Sequence, residues 1–171
     1  MSSAVPIVRQ HGEGEHLGFA GGGVFTMKAT AAETGGAFLL MEHRSVGGKS
    51  TPLHTHPEDE AIYVLEGELL VHIDGEEHRV GKGGFFVAPR GVPHAMLVTS
   101  ETAHLLSLQT PGTGEAFYRN ASEPVDAATA PSWPPDWQRL RAVAERSDSI
   151  ELVGPPPFAA AQQQAAAATA S

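Results

Sequence analysis

Glu68-Leu69-Leu70-Val71-His72-Ile73-Asp74-Gly75-Glu76-Glu77-His78-Arg79-Val80 is the stretch on which the fold turns. Leu69, Val71 and Ile73 recur at every second position, the period of a strand rather than a helix. They share one face; Leu70, His72 and Asp74 share the other, which reads as the solvent side. Asp74-Gly75 then interrupts the pattern before His78–Val80. An Asp-Gly pair between alternating segments signals a tight antiparallel hairpin, because glycine takes a positive φ cheaply. Outward on either side the same grammar repeats. Apolar runs at Val24–Thr30, Ala37–His43, Ala61–Leu65, Phe85–Ala88, Pro93–Thr99 and Ala103–Gln109 are each closed by turn residues, among them Gly35-Gly36, Gly47-Gly48, Gly67, Gly83-Gly84 and Pro89-Arg90-Gly91. Short strands at regular spacing predict an all-β antiparallel sandwich or barrel. Ala61–Leu65 is apolar on both faces and is expected to be fully buried.

The flanks read differently. Residues 1–23 are polar and glycine-broken, through His11-Gly12-Glu13-Gly14-Glu15-His16 and Gly21-Gly22-Gly23, and are expected to form an N-terminal arm before a barrel over residues 24–110. Residues 111–158 are expected to supply short helices and a linker. Gly114–Ala121 suits a short helix, and Pro124–Pro135 is rich in Ala and Pro. Asp136–Arg146 offers an Asp N-cap ahead of Trp137, Leu140, Arg141 and Ala144 at helical spacing. Residues 159–171 hold eight Ala and three Gln and are expected to be a mobile tail.

Charge and composition remove several function classes. The 171 residues carry 11 Lys+Arg against 20 Asp+Glu, a formal net charge of −9, which disfavours nucleic acid and anionic membrane surfaces as partners. The absence of cysteine excludes disulfides, thiolate zinc sites, iron–sulfur clusters and cysteine nucleophiles. No apolar run approaches the ~18–20 residues that cross a bilayer. Met1–Gln10 lacks the basic start and apolar core of a secretory signal, so a cytoplasmic location is expected. The nine histidines point to where the chemistry lies.

Gly48-Lys49-Ser50-Thr51-Pro52-Leu53-His54-Thr55-His56-Pro57-Glu58-Asp59-Glu60 contains a His-x-His pair whose side chains leave a strand on the same face, roughly 6–7 Å apart at the backbone. Pro57 breaks the strand, and a turn there can return the Glu60 carboxylate toward the same point. A second stretch, Gly83 to His94, uses Pro89 and Gly91 to launch a strand whose first inward residue is His94. A lone His-x-His on a strand is more often a surface pair. Three imidazoles and one carboxylate without sulfur, however, suit a divalent Fe, Mn, Ni, Co, Cu or Zn ion, with nitrogen–metal bonds near ~2.0–2.1 Å.

These two stretches resemble the paired motifs of the cupin superfamily. Gly48, His54, His56, Glu60 and Gly67 fit Gly-x5-His-x-His-x3-Glu-x6-Gly; Gly83, Pro89, Gly91 and His94 fit Gly-x5-Pro-x-Gly-x2-His. The family usually carries Asn four residues after the last His, where this chain has Val98. The resemblance spans roughly Gly36 to Gln109. It implies a small double-sheet jelly-roll barrel (a double-stranded β-helix) with short C-terminal helices and one transition metal per chain, held by His54, His56, Glu60 and His94. Thr110-Pro111-Gly112, Glu115–Arg119, Glu123-Pro124 and Gly154–Pro157 further resemble single-domain bacterial cupins of the quercetin 2,3-dioxygenase-like type. That likeness implies a metal-dependent oxygenase acting with O2 on a flavonol or another enolisable or aromatic small molecule, with Glu60 as catalytic base. The alternatives are a non-redox isomerase, epimerase or cyclase, and a small-molecule-binding cupin without catalysis.

The remaining candidates are assigned plainer roles. His43 ends a strand and could line the barrel mouth. His72 and His78 read as solvated turn residues, and His104 as a core or bracing group. Glu58 and Asp59 are expected to lie outside the site, whereas Met96 and Val98 share His94's face and are candidates for an apolar wall. Small barrels expose edge strands, and pairing across a two-fold axis is a common remedy, so a homodimer is expected.

Overall fold

The computed structural model describes residues 5–162. Among them are twelve strands: β1 (Glu15–Phe19), β2 (Val24–Ala29), β3 (Leu39–Val46), β4 (Leu53–Thr55), β5 (Asp59–Glu66), β6 (Glu68–Ile73), β7 (Glu76–Gly81), β8 (Phe85–Ala88), β9 (His94–Val98), β10 (Thr102–Thr110), β11 (Ser122–Pro124) and β12 (Glu151–Gly154). Two short helices, α1 (Glu115–Asn120) and α2 (Trp137–Ala144), follow the barrel strands. All pairings are antiparallel. One sheet runs β11-β1-β2-β3-β10-β5-β8, and the other β12-β4-β9-β6-β7. The turn and alternation pattern predicts the antiparallel all-β architecture, and the jelly-roll barrel with short C-terminal helices is the form that the cupin resemblance implies.

The deciding hairpin forms as read. β6 and β7 pair from Glu68↔Gly81 to Ile73↔Glu76, leaving Asp74-Gly75 as a two-residue loop. Both loop residues have positive φ, 50° and 86°, which matches the right-handed twist of the flanking strands. At Gly67, between β5 and β6, φ is +88° and a Cβ would collide with the Thr102 carbonyl oxygen, so only glycine passes there.

Leu69, Val71 and Ile73 face the core between the sheets with Ile62, Val64, Met96, Val98 and Leu105. Leu70, expected to face solvent, is instead buried with Ala95, Leu97 and Phe158 on the outer side of the same sheet. The C-terminal segment crosses that face and Phe158 seals it at 1% exposure. Ala61–Leu65 is not buried throughout, because Tyr63 on β5 points out of the barrel and is 43% exposed.

Several short strands escape sequence reading. β1 lies within the stretch expected as an N-terminal arm and pairs with both β2 and β11. β4 has three residues, too few to show alternation, and meets β9 at the single register His54↔His94. β12 pairs with β4 from the far end of the chain. Residues 159–162 continue as a helical turn with Ala161 packed beside Phe158. The rest of the expected tail, 163–171, lies outside the described residues. α1 and α2 carry Phe117, Leu140 and Ala144 into a second core cluster with Phe19, Phe25 and Met41. Asp136 caps α2, its carboxylate accepting from the Arg139 N–H at 3.0 Å. Among the described residues, no helix is long and apolar enough to cross a membrane.

Candidate metal centre

β4 delivers His54, the Pro57 turn delivers His56 and then Glu60 at the start of β5, and β9 opens with His94. The antiparallel meeting of β4 and β9 places His54 opposite His94. Asp59 and Arg90 clamp the two segments together: the guanidinium donates to both carboxylate oxygens, at 3.2 and 2.7 Å, and the Arg90 N–H donates at 2.9 Å. Gly91 N–H donates to the His56 carbonyl at 2.8 Å, a further tie between them. One ligand atom from each of His54, His56, Glu60 and His94 lies within 4.8 Å of the other three. The structure thus brings together all four residues that the spacing singles out. His56, Glu60 and His94 are buried and His54 is half-buried.

The orientation of each donor is set by a partner behind it. His54 Nδ1 meets Pro52 O at 2.8 Å, His56 Nδ1 meets Glu58 O at 3.0 Å, and His94 Nδ1 meets Val92 O at 2.8 Å. A carbonyl oxygen only accepts, so each Nδ1 carries the proton and each Nε2 lone pair is left free, as metal-binding histidines require. Glu60 Oε1 accepts from Ser107 Oγ at 3.1 Å and Gln109 Nε2 at 3.3 Å, which turns Oε2 toward the rings, 3.3 Å from His94 Nε2 and 3.5 Å from His56 Nε2. Among the described residues, His56 Nε2 and His94 Nε2 are buried without a hydrogen-bond partner. A cation between them would satisfy both nitrogens and the carboxylate together, so the donor set fits a divalent metal.

The charges agree with this arrangement. Burial alone would push the Glu60 carboxyl up, but without a metal the imidazolium forms of His56 and His94, donating from Nε2, hold it well below the carboxylate range, the same attraction a cation in their midst would exert. Burial draws His54 down to about 4, with His94 beside it adding to the effect, so its imidazole is neutral and ready to ligate.

Other residues depart from the sequence expectation. Glu58 is not outside the site: it is fully buried, its Oε1 accepts from the Thr113 hydroxyl, and its Oε2 lies 3.4 Å from His56 Nδ1. It braces His56 without joining the four donors. His104 is neither core nor bracing; it faces outward and meets Glu42 at 3.1 Å. Val98 sits in the apolar core, so the departure from the family's Asn costs no ligand. Ser107, Gln109 and Tyr118, whose hydroxyl accepts from Gln109 at 2.8 Å, were not anticipated. A signal existed for two of them, since Ser107 and Gln109 are polar residues at inward positions of an otherwise apolar alternation. Beside the cluster lies a cavity of about 60 Å³, walled by Phe25, Ile62, Phe86 and Met96 from the barrel and by Phe117 and Leu140 from the C-terminal helices.

Fold and cluster define a class: a double-sheet barrel holding a three-histidine, one-glutamate centre inside. Residues 41–108 match the family model described as Cupin domain. The matched segment contains all four donors and is similar to a cupin domain. The chain is 29% identical to quercetin 2,3-dioxygenase of Bacillus subtilis (strain 168) over 150 residues, which covers 87% of this chain and 44% of that protein. It thus spans less than half the length of that relative. Among solved structures, an RmlC-like cupin from Shewanella frigidimarina superposes with TM-score 0.56 at 21% identity, over 65% of this chain and 95% of that one. Oxalate decarboxylase from Bacillus subtilis gives TM-score 0.55 at 23% identity, over 73% of this chain and 33% of that one. Both likenesses concern the fold.

Proposed function

We propose that this protein is a metal-dependent oxygenase of the quercetinase-like kind, acting with O2 on a compact enolisable or aromatic small molecule. The observation that carries the reading is the convergence of three imidazoles and Glu60, with His54, Glu60 and His94 on the wall of a largely apolar cavity. The reaction class is drawn from the similarity to a quercetin 2,3-dioxygenase. The size of the substrate is drawn from the cavity. At about 60 Å³ it is far below the ~300–1,000 Å³ of pockets that enclose drug-sized ligands, which favours a compact enol over a three-ring flavonol.

A divalent ion held by His54, His56, Glu60 and His94 would supply a Lewis acid that stabilises a substrate enolate beside O2. The chain's own residues do the rest. Glu60 is kept ionised by its two imidazole neighbours and lines the cavity, so it can accept the substrate's hydroxyl proton. Ser107 and Gln109 hold its other oxygen still. Phe25, Ile62, Phe86 and Met96 exclude the water that would quench a reactive enolate.

Metal analysis of the purified protein, combined with oxygen uptake over a panel of small enols and flavonols, tests the reading. The expected result is one divalent transition metal per chain and oxygen consumption with a compact enol. His56→Ala and His94→Ala should each lose most of the metal. Turnover of an enol without oxygen uptake would replace the oxygenase with an isomerase or epimerase. Tight binding without turnover would leave a binding protein.

A further inference from the structure

The cavity contains two nitrogen-bearing side chains that neither the four-donor cluster nor proton transfer to Glu60 uses. His43, on β3, is 3% exposed, and among the described residues neither of its ring nitrogens has a hydrogen-bond partner. Its ring lies flat on Phe25, with centroids 3.9 Å apart and planes at 17°. Lys49, between β3 and β4, extends over the same Phe25 ring with Nζ 5.6 Å from its centroid. It lines the same cavity as His54, Glu60 and His94. Among the described residues no hydrogen bond or ion pair reaches its ammonium, and its nearest electrostatic support is Glu60, acting through space. The backbone beneath it is fixed. Val98 N–H donates to the Lys49 carbonyl at 2.9 Å and Gly48 N–H donates to the Val98 carbonyl at 2.9 Å, which ties Lys49 to the strand that carries His94.

Lys49 is half-buried; an ammonium drawn partly out of water is costly unless it is paired, and an aromatic face recovers only part of that cost. We propose that Lys49 and His43 receive an anionic oxygen of the substrate, a carboxylate, so that the cavity selects compact enolisable acids over their neutral counterparts. The proposal rests on the substrate class inferred above and narrows it. Charge balance supports it. Glu60 contributes one negative charge, a divalent ion would contribute two positive charges and Lys49 one more, which leaves a buried excess of two. A substrate carboxylate cancels half of that excess, whereas a neutral enol cancels none of it, because a proton passed to Glu60 stays within the cavity. His43 is suited to its part, because burial, aided by the Lys49 charge, draws it down to about 3 and keeps it neutral, with one N–H to donate. Burial also draws Lys49 down to about 8, Glu60 opposing, so it is charged at neutral pH.

Calorimetric titration of the full chain with pyruvate and methyl pyruvate, in metal-loaded and metal-free protein, tests the proposal. The metal-loaded protein should bind pyruvate at least about tenfold tighter than the ester, the scale of a charge-assisted contact. The metal-free protein should retain that preference at lower affinity. Lys49→Met should abolish it while metal content stays at the wild-type level, and Lys49→Arg should retain most of it. His43→Phe, which preserves the stack on Phe25, should weaken pyruvate binding about threefold to tenfold. Lys49→Gln repeats the test if Lys49→Met does not fold by circular dichroism. Equal binding of the two probes, no binding of either, or a preference that survives Lys49→Met would overturn the proposal. Because the preference is also read without metal, a wrong metal or oxygenase assignment would leave it standing.

Discussion

Glu60 combines two duties in one carboxylate, and they can be separated. Oε1 is anchored by Ser107 and Gln109, while Oε2 faces the His56 and His94 imidazoles. Glu60→Gln keeps an oxygen for the anchors but cannot take a proton. At saturating metal its activity should fall about 10²–10⁴-fold beyond any loss of metal occupancy, the usual contribution of a general base. A substrate supplied already as its enolate should partly rescue the variant. Equal losses of activity and occupancy without rescue would leave Glu60 as a ligand only. His43 makes a second residue-scale prediction, on stability. Its folded pKa of about 3 lies below the ordinary 6.5 of an unfolded chain. Its contribution is therefore complete above pH 6.5 and is lost as pH falls from there toward 3, because only the unfolded state takes up the proton. In denaturant titrations of metal-free protein, the wild type should lose stability over this range faster than His43→Phe, by about 1.4 kcal/mol per pH unit at most. His54 acts in the same direction and His56 in the opposite one, but both are present in either protein and cancel in the comparison.

At the scale of elements, the barrel is completed by segments that lie far from it in sequence. β12 pairs with β4 and so backs the strand that carries His54. Phe158 fills the outer face of the smaller sheet over Leu70, Ala95 and Leu97. Phe158→Ala should cost about 3–5 kcal/mol in chemical denaturation, the range for a fully buried aromatic side chain. A loss below about 1 kcal/mol would mean that the C-terminal segment is not docked on that sheet in solution. The helices were legible in the chain: Asp136 stands at the start of α2 as the capping pattern predicts. Their destination was not, since Phe117 and Leu140 wall the cavity only because α1 and α2 fold back over the barrel.

At the scale of the molecule, an apolar surface on the larger sheet is left uncovered among the described residues. Tyr63, Phe85 and Val87 are 43, 58 and 42% exposed and lie on the outward face of β5 and β8, where Tyr63 pairs with Phe85 and Ala61 with Val87. β8 is the last strand of its sheet, so the patch ends at a sheet edge. We propose that a second copy covers it. A two-fold axis beside an antiparallel edge strand brings the same patch against itself and pairs the two edges, a self-complementary arrangement that no unrelated partner is built to match. Sedimentation equilibrium at micromolar concentration should give a dimer, and Phe85→Glu should give a monomer with unchanged metal content. A monomeric wild type would overturn the expectation.

The sequence by itself determined the all-β class, the Asp74-Gly75 hairpin and the cluster of His54, His56, Glu60 and His94. These depend on local features: two-residue alternation, a turn that needs positive φ, and motif spacings contained within about twenty residues. The tertiary structure alone decided what surrounds those donors. Ser107 and Gln109 reach Glu60 because β10 pairs with β5 across more than forty residues of chain. Glu58 turns inward because Thr113 waits beyond the barrel to receive it. Leu70 is buried because Phe158 arrives from near the C-terminus. Lys49 and His43 share a cavity because β2 brings Phe25 against both of them. Alternation assigns a side chain to one of two faces. Which face is covered, and by what, is decided by the pairing of distant strands, and that pairing leaves no local mark in the chain.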